Sequence, residues 1–105
     1  ILDQLLVRLA PKNILFVSGR SDACLDETKR WLKDKTSIGK QTNWKLYMKP
    51  KERESEKDTL FKESVYKKHI MNKYAILAVF DDRDGVVNMW RNFNLPVYQV
   101  WYGDF

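Results

Sequence analysis

The sequence predicts an α/β fold, a parallel sheet with helices on both faces. Three observations lead there. Helical and strand-like segments alternate in the order α-β-α-β-α-β-α-β with short links. The strand candidates are continuous apolar runs rather than alternating ones, as expected of strands buried on both faces. The chain is also 44% hydrophobic and 13% aromatic, with four Trp, which is enough to build a core.

Each element has its own justification. Ile1, Leu2, Leu5, Leu6 and Leu9 recur at helical spacing until Pro11 ends the pattern. Residues 14–17 (ILFV) form a short strand stopped by Ser18-Gly19-Arg20. Ser21 suits the N-cap of a helix reaching about Lys35, with Leu25, Trp31 and Leu32 on its buried side. A polar loop (TSIGKQTN) leads to a strand over residues 44–48, and residues 49–57 (KPKERESEK) read as an exposed loop. Lys57 or Asp58 opens a helix to about Asn72 that buries Leu60, Phe61, Val65 and Ile70. Residues 74–80 (YAILAVF) read as a buried strand, followed by an acidic turn and a helix near residues 84–94. Leu95-Pro96 then introduces an amphipathic last strand over residues 97–101, suited to a sheet edge.

At 105 residues the chain is read as one domain, 1–105. No apolar run approaches the roughly 20 residues that cross a bilayer, and no charged-then-apolar leader opens the sequence. The single Cys24 excludes an internal disulfide and offers no zinc-site spacing, so a reducing, cytoplasmic setting is expected. A net charge of +5 and a pI of about 9.4 favour a polyanionic partner. The chain starts at Ile1 rather than Met, which suggests the C-terminal portion of a longer protein.

Chemistry is expected beyond the carboxyl ends of the strands, where open α/β sheets bind ligands. If the first and third strands are parallel neighbours, Ser18-Gly19-Arg20 and Asp81-Asp82 face one crevice. The Ser18 hydroxyl, the Gly19 backbone and the Arg20 guanidinium suit a phosphate. The same three residues also suit an ordinary strand-to-helix turn. Asp81 and Asp82 suit Mg²⁺, a hard cation held by one or two carboxylates plus water and phosphate oxygens. Alternatively, Asp82 or Asp84 caps the next helix while Asp81 is solvated. Asp58 and Lys62 stand at i,i+4, a spacing that allows a surface ion pair or a phosphate-neutralising lysine oriented by its acid. Lys67, Lys68 and His69 read as a solvated face.

In order, ILFVSGR, KDTLFKESVYKKHI and FDDRDGVVNMWRNFNLPVYQVWYGDF resemble the phosphatase domain of phage-type polynucleotide kinase-phosphatase, within the haloacid dehalogenase superfamily. The resemblance covers nearly all of the chain. It implies a Rossmann-like fold and a Mg²⁺-dependent phosphomonoesterase acting on nucleic acid with a 3′-phosphate end. By position, it implies that Ser18, Gly19 and Arg20 bind phosphate and that Lys62 holds the phosphoryl group. Asp58 would orient Lys62, and Asp81 and Asp82 would belong to the acidic metal motif.

One departure is large. The superfamily's Asp-x-Asp-Gly-Thr motif, which carries the nucleophile, is not in these residues. The segment is therefore expected to be inactive alone. An upstream segment or a partner chain would supply the missing motif and its strand, and without that strand the sheet would be open, leaving the segment unstable or paired. Two other functions remain open: a catalytically dead module that binds phosphate, nucleic acid or protein, and a phosphatase of a small nucleotide.

Overall fold

A computed structural model of the chain describes residues 13–36, 43–101 and 103. The helix expected over residues 1–10 lies outside the described residues, as does most of the TSIGKQTN loop. The chain divides into two compact units, Ile1–Ser55 and Glu56–Phe105.

The first unit contains strand β1 (Ile14–Ser21), helix α1 (Leu25–Lys35) and strand β2 (Trp44–Lys49). β1 and β2 pair in parallel from Ile14↔Trp44 to Ser18↔Met48, and the register then slips so that Ser21 faces Lys49. Gly19 and Arg20 are the extra residues of that slip, so the Ser-Gly-Arg segment is a bulge at the strand end. Ser21 does cap, but it caps a 3₁₀ turn over Asp22–Cys24 that leads into α1, its hydroxyl accepting from the Ala23 N–H at 3.2 Å. In α1, Leu25, Thr28 and Leu32 form the inward stripe, with Leu32 buried. Trp31 stands one position off that stripe and is 57% exposed, against the sequence expectation. Lys49 also departs from expectation. It is the last residue of β2 rather than part of the charged loop, and it is 2% exposed.

The second unit contains helix α2 (Asp58–Val65), a π-helical turn (Tyr66–Ile70), strand β3 (Val79–Asp81), helix α3 (Asp84–Asn92) and strand β4 (Val97–Gln99). Its core is the meeting of α2 and its π turn with α3: Phe61, Val65, Tyr66, Ile70, Val86, Val87, Met89 and Trp90 are all buried. Each such side chain contributes about 1.5–3 kcal/mol of burial free energy. Leu60, expected inside, is 55% exposed because the inward stripe runs through Phe61 and Val65 at i,i+4. Tyr66 meets Trp90 edge-on at 5.8 Å and tilts against Phe93 at 4.7 Å. Lys67, Lys68 and His69 are exposed, as the sequence indicated.

β3 is much shorter than the YAILAVF run. Its parallel partner β4 begins only at Val97, directly after Pro96, whose nitrogen has no hydrogen to donate. The ladder therefore starts where the Val79 N–H donates to the Pro96 carbonyl, at 2.8 Å, and Leu77 before it is 61% exposed. β4 is likewise shorter than expected, with Val100 and Trp101 beyond the strand. Asn94 closes α3 in the left-handed conformation (φ 61°), which sets Leu95 and Pro96 on course for β4.

Candidate active site

The candidate site of the second unit forms where β3 ends. Asp81 is the last residue of the strand, and its backbone carbonyl still accepts from the Val100 N–H at 3.0 Å, which fixes its Cα. Three donors converge on its side chain. Lys62, projecting from α2, donates from Nζ to Oδ2 at 3.1 Å. Trp90, on α3, donates from Nε1 to the same oxygen, also at 3.1 Å. The backbone N–H of Asp82 donates to Oδ1 at 2.9 Å. The Lys62 and Asp81 side chains are 13% and 11% exposed, so this is a largely desolvated charge-assisted pair.

Lys62 thus bridges elements rather than closing on Asp58, its i,i+4 neighbour. Asp58, in the first turn of α2, receives Arg83 Nη1 at 2.9 Å. That pair is 26% and 37% exposed and contributes correspondingly less. The two α2 residues are tied to opposite ends of the acidic turn: Lys62 to Asp81 and Asp58 to Arg83.

Asp82 is the exposed member of the acid pair, and its carboxylate has no hydrogen-bond or ion-pair partner among the described residues. Asp84 begins α3, as the capping alternative requires, but as its first residue, with Arg83 at the cap position. Its Oδ1 accepts from Gln99 Nε2 at 2.7 Å and from the Gly103 N–H at 3.2 Å. Gln99 also donates to the Asp82 carbonyl at 2.9 Å. The segment after β4 is thereby clamped to the acidic turn, with the Asp84 N–H returning a bond to the Gly103 carbonyl at 2.9 Å.

Ser18, Gly19 and Arg20 belong to the first unit. Ser18 Oγ accepts from the Arg20 backbone N–H at 3.1 Å, which leaves its own hydroxyl proton directed to no described acceptor. Arg20 is exposed, and its guanidinium approaches Thr28 Oγ1 at 3.4 Å. The bulge makes this a shaped strand end rather than a plain turn. β1 bonds to β2 and β3 to β4, each pair within its own unit.

Of the sequence-predicted residues, the structure gathers Asp58, Lys62, Asp81 and Asp82 around one acidic turn in the second unit. Trp90, Arg83 and Gln99 were missed. Trp90 had a readable signal, because a Trp on the inward stripe of a helix needs an acceptor for its indole N–H. Arg83 and Gln99 had none: a charged residue in an acidic turn and a lone amide in a short strand carry no spacing rule.

A parallel α/β chain with a strand-end acid pair and a lysine delivered from the preceding helix belongs to the haloacid dehalogenase class of phosphatase folds. More narrowly, the chain belongs to the polynucleotide kinase PNKP phosphatase domain family, whose sequence profile matches residues 3–105. A protein of Autographa californica nuclear polyhedrosis virus, named "Putative bifunctional polynucleotide kinase/RNA ligase", is 39% identical over 83 residues, or 79% of this chain and 11% of that protein. The structure of the Pnkp1/Rnl/Hen1 RNA repair complex contains a chain that is 33% identical with a TM-score of 0.76, covering 89% of this chain and 29% of that one. A second structure of the Pnkp1/Rnl/Hen1 complex matches at 31% identity and a TM-score of 0.81, over 98% of this chain and 35% of its counterpart. The chain therefore spans about a tenth of the viral relative and about a third of the structural ones.

Proposed function

We propose that this chain is the phosphate-handling part of a Mg²⁺-dependent polynucleotide 3′-phosphatase acting in nucleic-acid end repair. The observation that carries the reading is the Lys62–Asp81 pair beside the unpartnered Asp82 carboxylate at the end of a parallel strand. Lys62 neutralises the phosphoryl group, and Asp58 acts on it indirectly by holding Arg83 and the turn. Ser18, the Gly19 backbone and Arg20 bind phosphate oxygens, the hydroxyl and guanidinium being the donors.

The residues present fit Mg²⁺ in a particular way. Lys62, Trp90 and the Asp82 N–H take three of the roughly four acceptor positions of the Asp81 carboxylate, so Asp82, with none taken among the described residues, is the freer carboxylate for a hard cation. Mg²⁺ is a hard cation that one or two carboxylates hold together with water and phosphate oxygens. When bound, Mg²⁺ would supply charge stabilisation at the phosphoryl oxygens.

The 105 residues contain no Asp-x-Asp-Gly-Thr, and we propose that an upstream segment or a partner chain supplies the nucleophile and that these residues alone do not turn over substrate. RNA is the favoured strand, because the related proteins include an RNA repair complex and a protein named as a kinase/RNA ligase. No helix among the described residues is long and apolar enough to cross a membrane; the proposed cytoplasmic setting rests on the single Cys24, which cannot form an internal disulfide.

The test is phosphate release from a 3′-phosphorylated oligoribonucleotide by the full-length natural protein. A 5′-phosphorylated strand and a 3′-mononucleotide serve as controls. Asp82→Asn and Lys62→Ala should each lower kcat by at least about 10²-fold, as loss of a transition-state charge contact does. Activity that survives both substitutions overturns the reading. Binding of the phosphorylated strand without hydrolysis would identify a binding module instead.

A further inference from the structure

We propose that Trp90 is a positioning residue of the phosphatase reaction, acting through Asp81 on the ammonium of Lys62. The proposal rests on the phosphatase reading above and adds a residue to it.

Trp90 is 4% exposed, and its packing needs are met by Tyr66 at 5.8 Å. Its indole N–H, however, must find an acceptor once it is buried. It finds the very oxygen that receives Lys62: both donors reach Asp81 Oδ2 at 3.1 Å. A carboxylate oxygen accepts about two hydrogen bonds, so Oδ2 is filled. Oδ1 is held from the other side by the Asp82 N–H at 2.9 Å.

Three donors from three directions fix the plane of the carboxylate. With the indole N–H removed, the terminal torsion of Asp81 is restrained by only two, and that torsion is broad by nature. The ammonium that rides on Oδ2 then loses its fixed position. Lys62 has a second anchor nowhere among the described residues, so the indole is what turns a flexible four-carbon stem into a placed charge. Misplacing a catalytic group by about 1 Å costs up to about 10²-fold in rate.

The experiment uses the full-length natural protein with Trp90→Phe, and with Trp90 replaced by 3-benzothienylalanine, which keeps the bicyclic shape and lacks only the N–H donor. Both should lower kcat about 10-fold, or about 1.4 kcal/mol of transition-state stabilisation, and leave KM within about 2-fold. In an Asp81→Ala background the further loss should vanish, because no oxygen is left at residue 81 through which Trp90 could act. A role confined to packing would give the benzothienyl variant wild-type kcat, or an equal loss in both backgrounds, and either result overturns the proposal.

The coupling is also readable without turnover. The ¹H–¹⁵N resonance of the Trp90 indole should move on Lys62→Met, and a resonance that stays in place overturns the proposal even where the phosphatase reading stands. A wild-type protein without 3′-phosphatase activity would overturn the reading itself and leave the resonance test to decide the role of Trp90.

Discussion

Asp81→Leu and Lys62→Met remove opposite halves of one ion pair, and the structure predicts that they do not cost the same. At 3.1 Å, the pair attracts with about 5 kcal/mol at an effective dielectric of about 20. Most of that is offset by desolvation, since both side chains are nearly nine-tenths covered. What survives a single substitution decides the ranking. Leu at 81 strands two donors, the Lys62 ammonium and the Trp90 indole, in a site too covered to hydrate them freely. Its cost should be about 3–5 kcal/mol, the range for leaving one partner of a buried pair. Met at 62 leaves the Asp81 carboxylate with the indole and the Asp82 N–H still bonded to it. That loss should be smaller, about 1–2 kcal/mol. The double variant strands the indole and the exposed Asp82 N–H, which water can satisfy, and should fall well short of the sum. Urea unfolding of the full-length natural protein, followed by near-ultraviolet circular dichroism that includes the Tyr66–Trp90–Phe93 cluster, measures all four corners of the cycle. Lys62→Met costing more than Asp81→Leu, or additive losses, would refute the reasoning.

The remaining tests separate function from folding. Asp82→Asn should leave stability within about 0.5 kcal/mol, because the side chain is exposed and unpaired among the described residues, yet it should abolish the Mg²⁺ dependence of phosphate release in the full-length protein. Chelation with EDTA should reproduce that loss in the wild type and have no further effect on the variant. Arg20→Gln should raise KM for a phosphorylated strand about 10-fold or more with little change in melting temperature, its guanidinium being exposed. Phe61→Ala should cost about 3–5 kcal/mol, whereas Leu60→Ala, one residue earlier, should cost under about 1 kcal/mol in the same urea experiment.

The Leu60 and Phe61 contrast marks where the sequence is legible and where it is not. Among the described residues, element type and order came through because apolar runs, caps and breakers are local signals, and Pro96, Asn94 and Ser21 each act where a local rule places them. Side-chain burial failed at Trp31 and Leu60 for one shared reason. Each adjoins the true inward residue, and hydrophobicity alone does not say which of two neighbours lies on the stripe. Strand length failed at YAILAVF because a strand is only as long as the partner that bonds it, and β4 is set by Pro96, far along the chain.

The acidic pair shows the same limit in the site. From sequence, Asp81 and Asp82 are equivalent: adjacent, identical and equally apt for a cation. The fold makes them unequal, because consecutive residues leaving a strand point opposite ways. Asp81 turns into the unit and meets Lys62 and Trp90, while Asp82 turns out to solvent. Two like charges can then sit side by side, since one is neutralised by an ammonium and the other is hydrated. The division also explains why Lys62 does not pair with Asp58 despite their spacing. The more covered carboxylate gains more from a cation than a partly exposed one, so the lysine goes to Asp81 and leaves Asp58 for Arg83. A spacing rule records which partners are within reach, and burial decides among them.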